Sequence, residues 1–137
     1  MTPEQVILVQ TSFERILPIA ETAAALFYRR LFVLDPALRA LFKGDMEEQG
    51  RKLMTMLRMV IAGLDRLETL VPAIEQLGAH HHSYGVLAED YATVAAALLL
   101  TLEHSLGEHW TPEVAGAWVS AYQLLAATMV EAAPVAA

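Results

Sequence analysis

The stretch EQLGAHHHSYGV, Glu75–Val86, closes an apolar segment on three consecutive histidines. Neighbours on a helix are rotated by about 100°, so only one of the three can lie on the segment's apolar face. That face is drawn by Leu67, Leu70, Val71, Ile74 and Leu77, at spacings of three and four. Extended, it lands on His81, four residues after Leu77 and seven after Ile74. His80 and His82 turn aside, His82 along the line of Glu75 toward water. His81 is therefore either a core histidine tied to a carbonyl or an imidazole working inside an apolar box. A surface metal trap made by His80 and His82 is a third reading. Zinc is poorly served, because adjacent histidines diverge on a helix and no HExxH pairing occurs.

The neighbouring segments supply further inward polar groups. On 46–63 the inward stripe reads Met46, Gln49, Leu53, Met56, Leu57 and Val60, with Leu64 beyond, and Gln49 is its one polar member. A buried amide must find partners or cost about 1–3 kcal/mol, unless it reaches solvent at the helix start. On 19–34, Ala20, Ala24, Phe27, Tyr28 and Leu31 crowd one face, and the Tyr28 hydroxyl also needs a partner. A histidine, a glutamine and a tyrosine directed inward from three helices suggest a polar site in an apolar box.

Punctuation along the chain is helical. Thr2-Pro3 with Gln5, Asp35-Pro36 and Thr111-Pro112 read as helix starts, and Gly44, Gly78 and Gly107 sit near helix ends. Helices are predicted at about 3–17, 19–34, 46–63, 67–82, 88–106 and 112–132, with a short turn at 36–42. This is an all-α chain of six or seven helices in a single domain, 1–137. Unequal helix lengths favour an orthogonal arrangement over an up-down bundle.

Composition narrows the function. A chain of 137 residues can bury roughly two-thirds of its unfolded surface around one core. At 55% hydrophobic it is greasy enough to expect a cofactor or a subunit against part of that surface. A net charge of −7 with nine scattered basic residues argues against a nucleic-acid partner. The absence of cysteine removes thiolate chemistry, Cys-ligated metals and disulfides. The N-terminus MTPEQVILVQ lacks a basic leader, which predicts a cytoplasmic protein. The run YATVAAALLLTL is shorter than the roughly 20 residues of a membrane span and reads as a buried helix.

The strings LFYRRLF (26–32), DPALRALF (35–42), QGRKLM (49–54), LGAHHHSYGV (77–86) and AWVSAYQLLA (117–126), in this order and spacing, resemble the bacterial single-domain globins of the Vitreoscilla and Hell's Gate kind and the haem domain of flavohaemoglobins. The resemblance covers nearly the whole chain and implies a globin fold enclosing a haem. It makes His81 the proximal iron ligand, Phe42 the wedge against haem at a corner, and Tyr28 and Gln49 the distal pair facing a bound gas. Leu53 becomes an apolar wall and Lys52 a cation for a haem propionate. Leu57, Leu77, Val86, Tyr91 and Val94 match haem-packing or proximal positions.

The implied cofactor is haem b, held noncovalently, with O2, NO and CO as ligands. Gln49 is a poor iron ligand beside histidine, which argues against a bis-histidine state. Bound oxygen carries partial negative charge, and two donors at about 1.5–3 kcal/mol each slow its loss on the order of a hundredfold or more. The implied function is tight oxygen binding for nitric oxide detoxification to nitrate, or for oxygen supply. A haem-based gas or redox sensor is the alternative. In flavohaemoglobin-type domains a late glutamate joins the proximal histidine and a tyrosine; Ala133 stands there, with Glu131 about 200° round the helix. Tyr91 remains, so a weakened push on iron is expected. The chain carries no Gly-rich nucleotide fingerprint, so electrons are expected from an external flavin or NAD(P)H reductase. Either a monomer or a homodimer fits.

Overall fold

The computed structural model describes residues 1–83, 87 and 89–132, with side chains for 1–81, 87 and 89–129. Among the described residues there are six α-helices and no strand. They are α1 (Pro3–Ile16), α2 (Ala20–Leu34), α3 (Met46–Ala62), α4 (Val71–Ser83), α5 (Asp90–Leu106) and α6 (Pro112–Ala132). The short turn expected before Phe42 is a 3₁₀ segment, Pro36–Leu41. None of the described helices is long and apolar enough to cross a membrane.

Local chemistry sets the helix starts. The Gln5 N–H donates to Thr2 Oγ1 at 3.1 Å while Gln5 Oε1 accepts from the Thr2 N–H at 3.0 Å, so two otherwise orphaned donors are satisfied together. Asp35 Oδ1 accepts from the Ala37 N–H at 3.2 Å, Asp45 Oδ1 from the Glu47 N–H at 2.9 Å, and Thr111 Oγ1 from the Val114 N–H at 3.2 Å.

One boundary differs from expectation. The helix expected from residue 67 begins at Val71, and Leu64–Thr69 is a 3₁₀ segment broken at Arg66 (φ −140°, ψ 52°). Pro72 is the reason: it lacks an N–H and its ring excludes a preceding turn, so it fits only the first turn of a helix. Leu67 and Leu70 still pack on the core, from that turn. The line from Ile74 through Leu77 to His81 survives because it lies wholly within α4.

The main core joins α1, α3, α4, α5 and α6 through Val9, Phe13, Ile16, Val60, Ile74, Leu102, Ala117 and Trp118. A second cluster of Phe27, Tyr28, Leu31, Leu38 and Ala97 joins α2, the Pro36–Leu41 turn and α5. Where α3 crosses α2, a Cβ on Gly50 would stand 3.0 Å from that of Ala24, so glycine lets the two backbones approach closely. That crossing holds Gln49 and Tyr28 on adjoining helices. At the opposite end of α3, Gln10 Nε2 donates to the Ile61 carbonyl at 2.9 Å, tying α1 to a helix terminus whose carbonyls need donors.

Inside the main core, Trp118 Nε1–H donates to Ser12 Oγ at 2.8 Å, and Ser12 donates onward to the Leu8 carbonyl at 2.7 Å. Ser12→Ala should leave the buried indole N–H unpaired and cost about 1–3 kcal/mol in urea unfolding. Because the loss is that of one hydrogen bond, the Ser12→Ala, Trp118→Phe double variant should cost clearly less than the two single changes summed. Additive costs would show the bond to be irrelevant.

Candidate functional site

Between α2 and α3 on one side and α4, α5 and α6 on the other lies a largely apolar cavity of about 770 Å³. That is within the roughly 300–1,000 Å³ of cofactor and ligand sites. Tyr28, Phe42, Gln49, Lys52, Leu53, Leu57, Leu77, His81, Tyr91 and Val94, all candidates from sequence, line it. Val86 and Ala133 and the side chains of His82 and Glu131 lie outside the described residues.

His81 reaches the cavity from the last turns of α4, half-buried, with Nδ1 at 2.7 Å from the Leu77 carbonyl one turn back. A carbonyl oxygen can only accept, so Nδ1 carries the proton. In the neutral ring Nε2 then keeps its lone pair. This is how histidines that ligate metals are oriented, with one nitrogen bound to an acceptor and the other left to the metal. The carbonyl partner of the core-histidine reading is present, in a ring that also lines the cavity. His80 is exposed, as expected, yet it also borders the cavity, which the stripe argument did not foresee.

Tyr28 is 7% exposed and wrapped by aromatic rings: Phe27 at 4.9 Å, Phe42 edge-on at 5.3 Å and Phe32 at 6.0 Å between centroids. Burial pushes its hydroxyl above the ordinary tyrosine range, partly offset by hydrogen bonding with Gln49. The hydroxyl therefore keeps its proton and acts as a donor. Gln49, near the start of α3, is half-buried.

Phe42 is fixed from behind by Arg39, which donates from Nη1 to the Phe42 carbonyl at 2.5 Å and stacks over Phe32 at 5.8 Å from the ring centroid. Lys43 and Lys52 give the cavity rim its positive charge. Residues 67–137 contain no Lys or Arg, so an anionic edge on a ligand would be drawn toward the α3 side.

Sequence reasoning missed the wall supplied by α6: Tyr122, Leu125, Ala126 and Met129. Their spacing of three and four was the available signal. Tyr122 Oη donates to the Tyr91 carbonyl at 2.5 Å, pinning the first turn of α5 to α6, and burial raises the pKa of both tyrosines. Leu87 N–H donates to Asp90 Oδ2 at 2.8 Å at the start of that same helix.

Among the described residues no three His, Asp or Glu side chains converge as a metal cage. Among the described residues, a metal at His81 would have no cluster of further protein ligands beside it. An apolar slot, the imidazole of His81 oriented by a carbonyl and a cationic rim fit a planar metal macrocycle with acidic edge groups, which is haem.

Comparison with known proteins agrees with this geometry. The globin family model matches residues 25–129. A flavohemoprotein of Bordetella parapertussis is 32% identical over 129 residues, 92% of this chain and 32% of its own length. One of Bacillus subtilis is 31% identical over 109 residues, 77% of this chain and 27% of its own length. The chain thus spans about a third or less of these flavohemoproteins. Neuroglobin of Danio rerio is 30% identical over 136 residues, covering 89% of this chain and 86% of its own. With a helical fold built around an inward histidine and a family match over most of its length, the chain belongs to the globin family of haem-containing, oxygen-binding proteins.

Proposed function

We propose that this globin holds haem b noncovalently through His81 Nε2, binds oxygen tightly, and uses it to convert nitric oxide to nitrate with electrons from a separate flavin reductase. The observation that carries the reading is the cavity in which an oriented imidazole shares the space with two donors, Tyr28 and Gln49. When bound, haem supplies an iron that takes oxygen reversibly in the ferrous state and, with that oxygen, oxidises nitric oxide to nitrate and ends ferric.

The chain's own residues do the rest. His81, with Nδ1–H committed to the Leu77 carbonyl, presents a fixed lone pair. Tyr28 and Gln49 donate to a ligand that gains negative charge and leave an uncharged one nearly untouched. Phe42, Leu53, Leu57, Leu77 and Val94 exclude water and hold the macrocycle by apolar contact, with Tyr91 alongside. Lys52 would pair with its acidic edge. The chain has no cysteine for a thioether link, which supports noncovalent retention. The flavohemoprotein relatives, whose name joins a flavin to a haem, support the flavin-reductase part of the reading, and oxygen supply is a use the same pocket serves.

His81→Ala should lose haem or weaken its retention by about ten- to a hundredfold, while His80→Ala keeps it, as read by transfer of haem to an apoprotein acceptor. Equal losses for both variants would sink the assignment.

Tyr28→Phe and Gln49→Leu should each speed oxygen dissociation by roughly ten- to a hundredfold and carbon monoxide dissociation far less, measured by stopped flow. Since burial holds the Tyr28 hydroxyl protonated past its ordinary pKa of about 10, the wild-type oxygen off-rate should stay flat through mildly alkaline pH. A parallel change for both gases would point to cavity shape instead.

Mixed with nitric oxide, the oxygenated chain should give nitrate in step with haem and stop as the ferric form. Adding a flavin reductase with NADH should let nitrate accumulate over many cycles. Failure to form nitrate in either arrangement would leave oxygen storage as the use of the pocket.

A further inference from the structure

We propose that Gly78 is the positioning residue for the axial imidazole: because it has no side chain, α4 lies directly on the α6 backbone at Met129, and that contact fixes the angle at which His81 enters the cavity. The proposal rests on the reading that His81 holds haem. Gly78 is buried, three residues before His81 and next to Leu77, whose carbonyl receives the His81 Nδ1 proton. A Cβ built on Gly78 would stand 2.6 Å from the Met129 Cα and 2.9 Å from its carbonyl carbon, and closer still to the carbonyl oxygen.

These are main-chain atoms of the last turn of α6, and no rotamer change can withdraw them. Any side chain at 78 must lift α4 off α6, carrying with it the Leu77 carbonyl and the ring it orients. Helix packing then acts as the control on the iron–histidine bond, since the imidazole can follow the metal only as far as α4 lets it. The Met129 side chain also lines the cavity, so a contact through that side chain would be relieved by truncating it, whereas one through its backbone would not.

The test reads the iron–histidine stretching band of the ferrous, ligand-free protein by resonance Raman, together with the haem reduction potential. Gly78→Ala should shift the band and the potential and release haem about tenfold faster or more. Adding Met129→Ala to Gly78→Ala should not restore the wild-type band, because the atoms in the way are main chain. His81→Gly supplied with free imidazole detaches the axial ligand from α4. Its band should differ from wild type, and adding Gly78→Ala to it should cause no further change.

A band unmoved by Gly78→Ala would overturn the proposal. So would identical bands for wild type and the imidazole-filled His81→Gly, a comparison that holds even if Gly78→Ala does not fold. A shift from Gly78→Ala that persists with free imidazole would assign the effect to the cavity at large and equally overturn it. If instead His81→Gly keeps the wild-type band without imidazole, the axial assignment itself fails, an outcome separable from the others.

Discussion

One proton dictates the use of this fold. With Nδ1–H of His81 given to the Leu77 carbonyl, the ring is held in a single tautomer and its second nitrogen faces outward from α4 with a lone pair. The other parts are arranged around that fact. α6 backs α4 where Gly78 meets Met129, α5 is pinned to α6 by the Tyr122 hydroxyl on the Tyr91 carbonyl, and α3 lies close on α2 through Gly50. The outcome is a slot with a base on one wall and two proton donors on another. Its sides are apolar enough that electrostatic contacts within it are poorly screened.

Much of this was readable from residue spacing. Tyr28, Gln49 and His81 each fall on the apolar line of a helix, and a polar residue on such a line is costly unless it has work to do. The three cap-and-proline signals marked helix starts for local reasons that need no tertiary context. The misplaced start of α4 came from weighting Leu67 and Leu70 as a stripe over the meaning of Pro72. Apolar residues can pack from a 3₁₀ turn as well as from a helix, whereas proline has few places to go.

Other features depend on three-dimensional closure. Arg39 finds the Phe42 carbonyl locally, three residues on, but its stacking over Phe32 forms only when the Pro36–Leu41 segment packs against α2, which nothing in the string RALF fixes. The α6 wall is made of Tyr122, Leu125, Ala126 and Met129, and an alternation of Leu, Ala and Met looks the same whether it faces another helix or an open slot. His80 reaches the cavity border despite its exposure for a related reason: proximity to a rim depends on where the neighbouring helix stops.

That α6 closes the cavity has a consequence for biosynthesis. At about 5–20 residues per second, the ribosome adds Tyr122 roughly 2–8 seconds after His81, so the imidazole is made well before the last wall of its pocket. During that interval α4 has no α6 backbone to lie on, and Gly78 is a flexible point in an isolated helix. The nascent chain thus carries the imidazole before its cavity is closed, and the contact of Gly78 with Met129 forms only when the final helix docks.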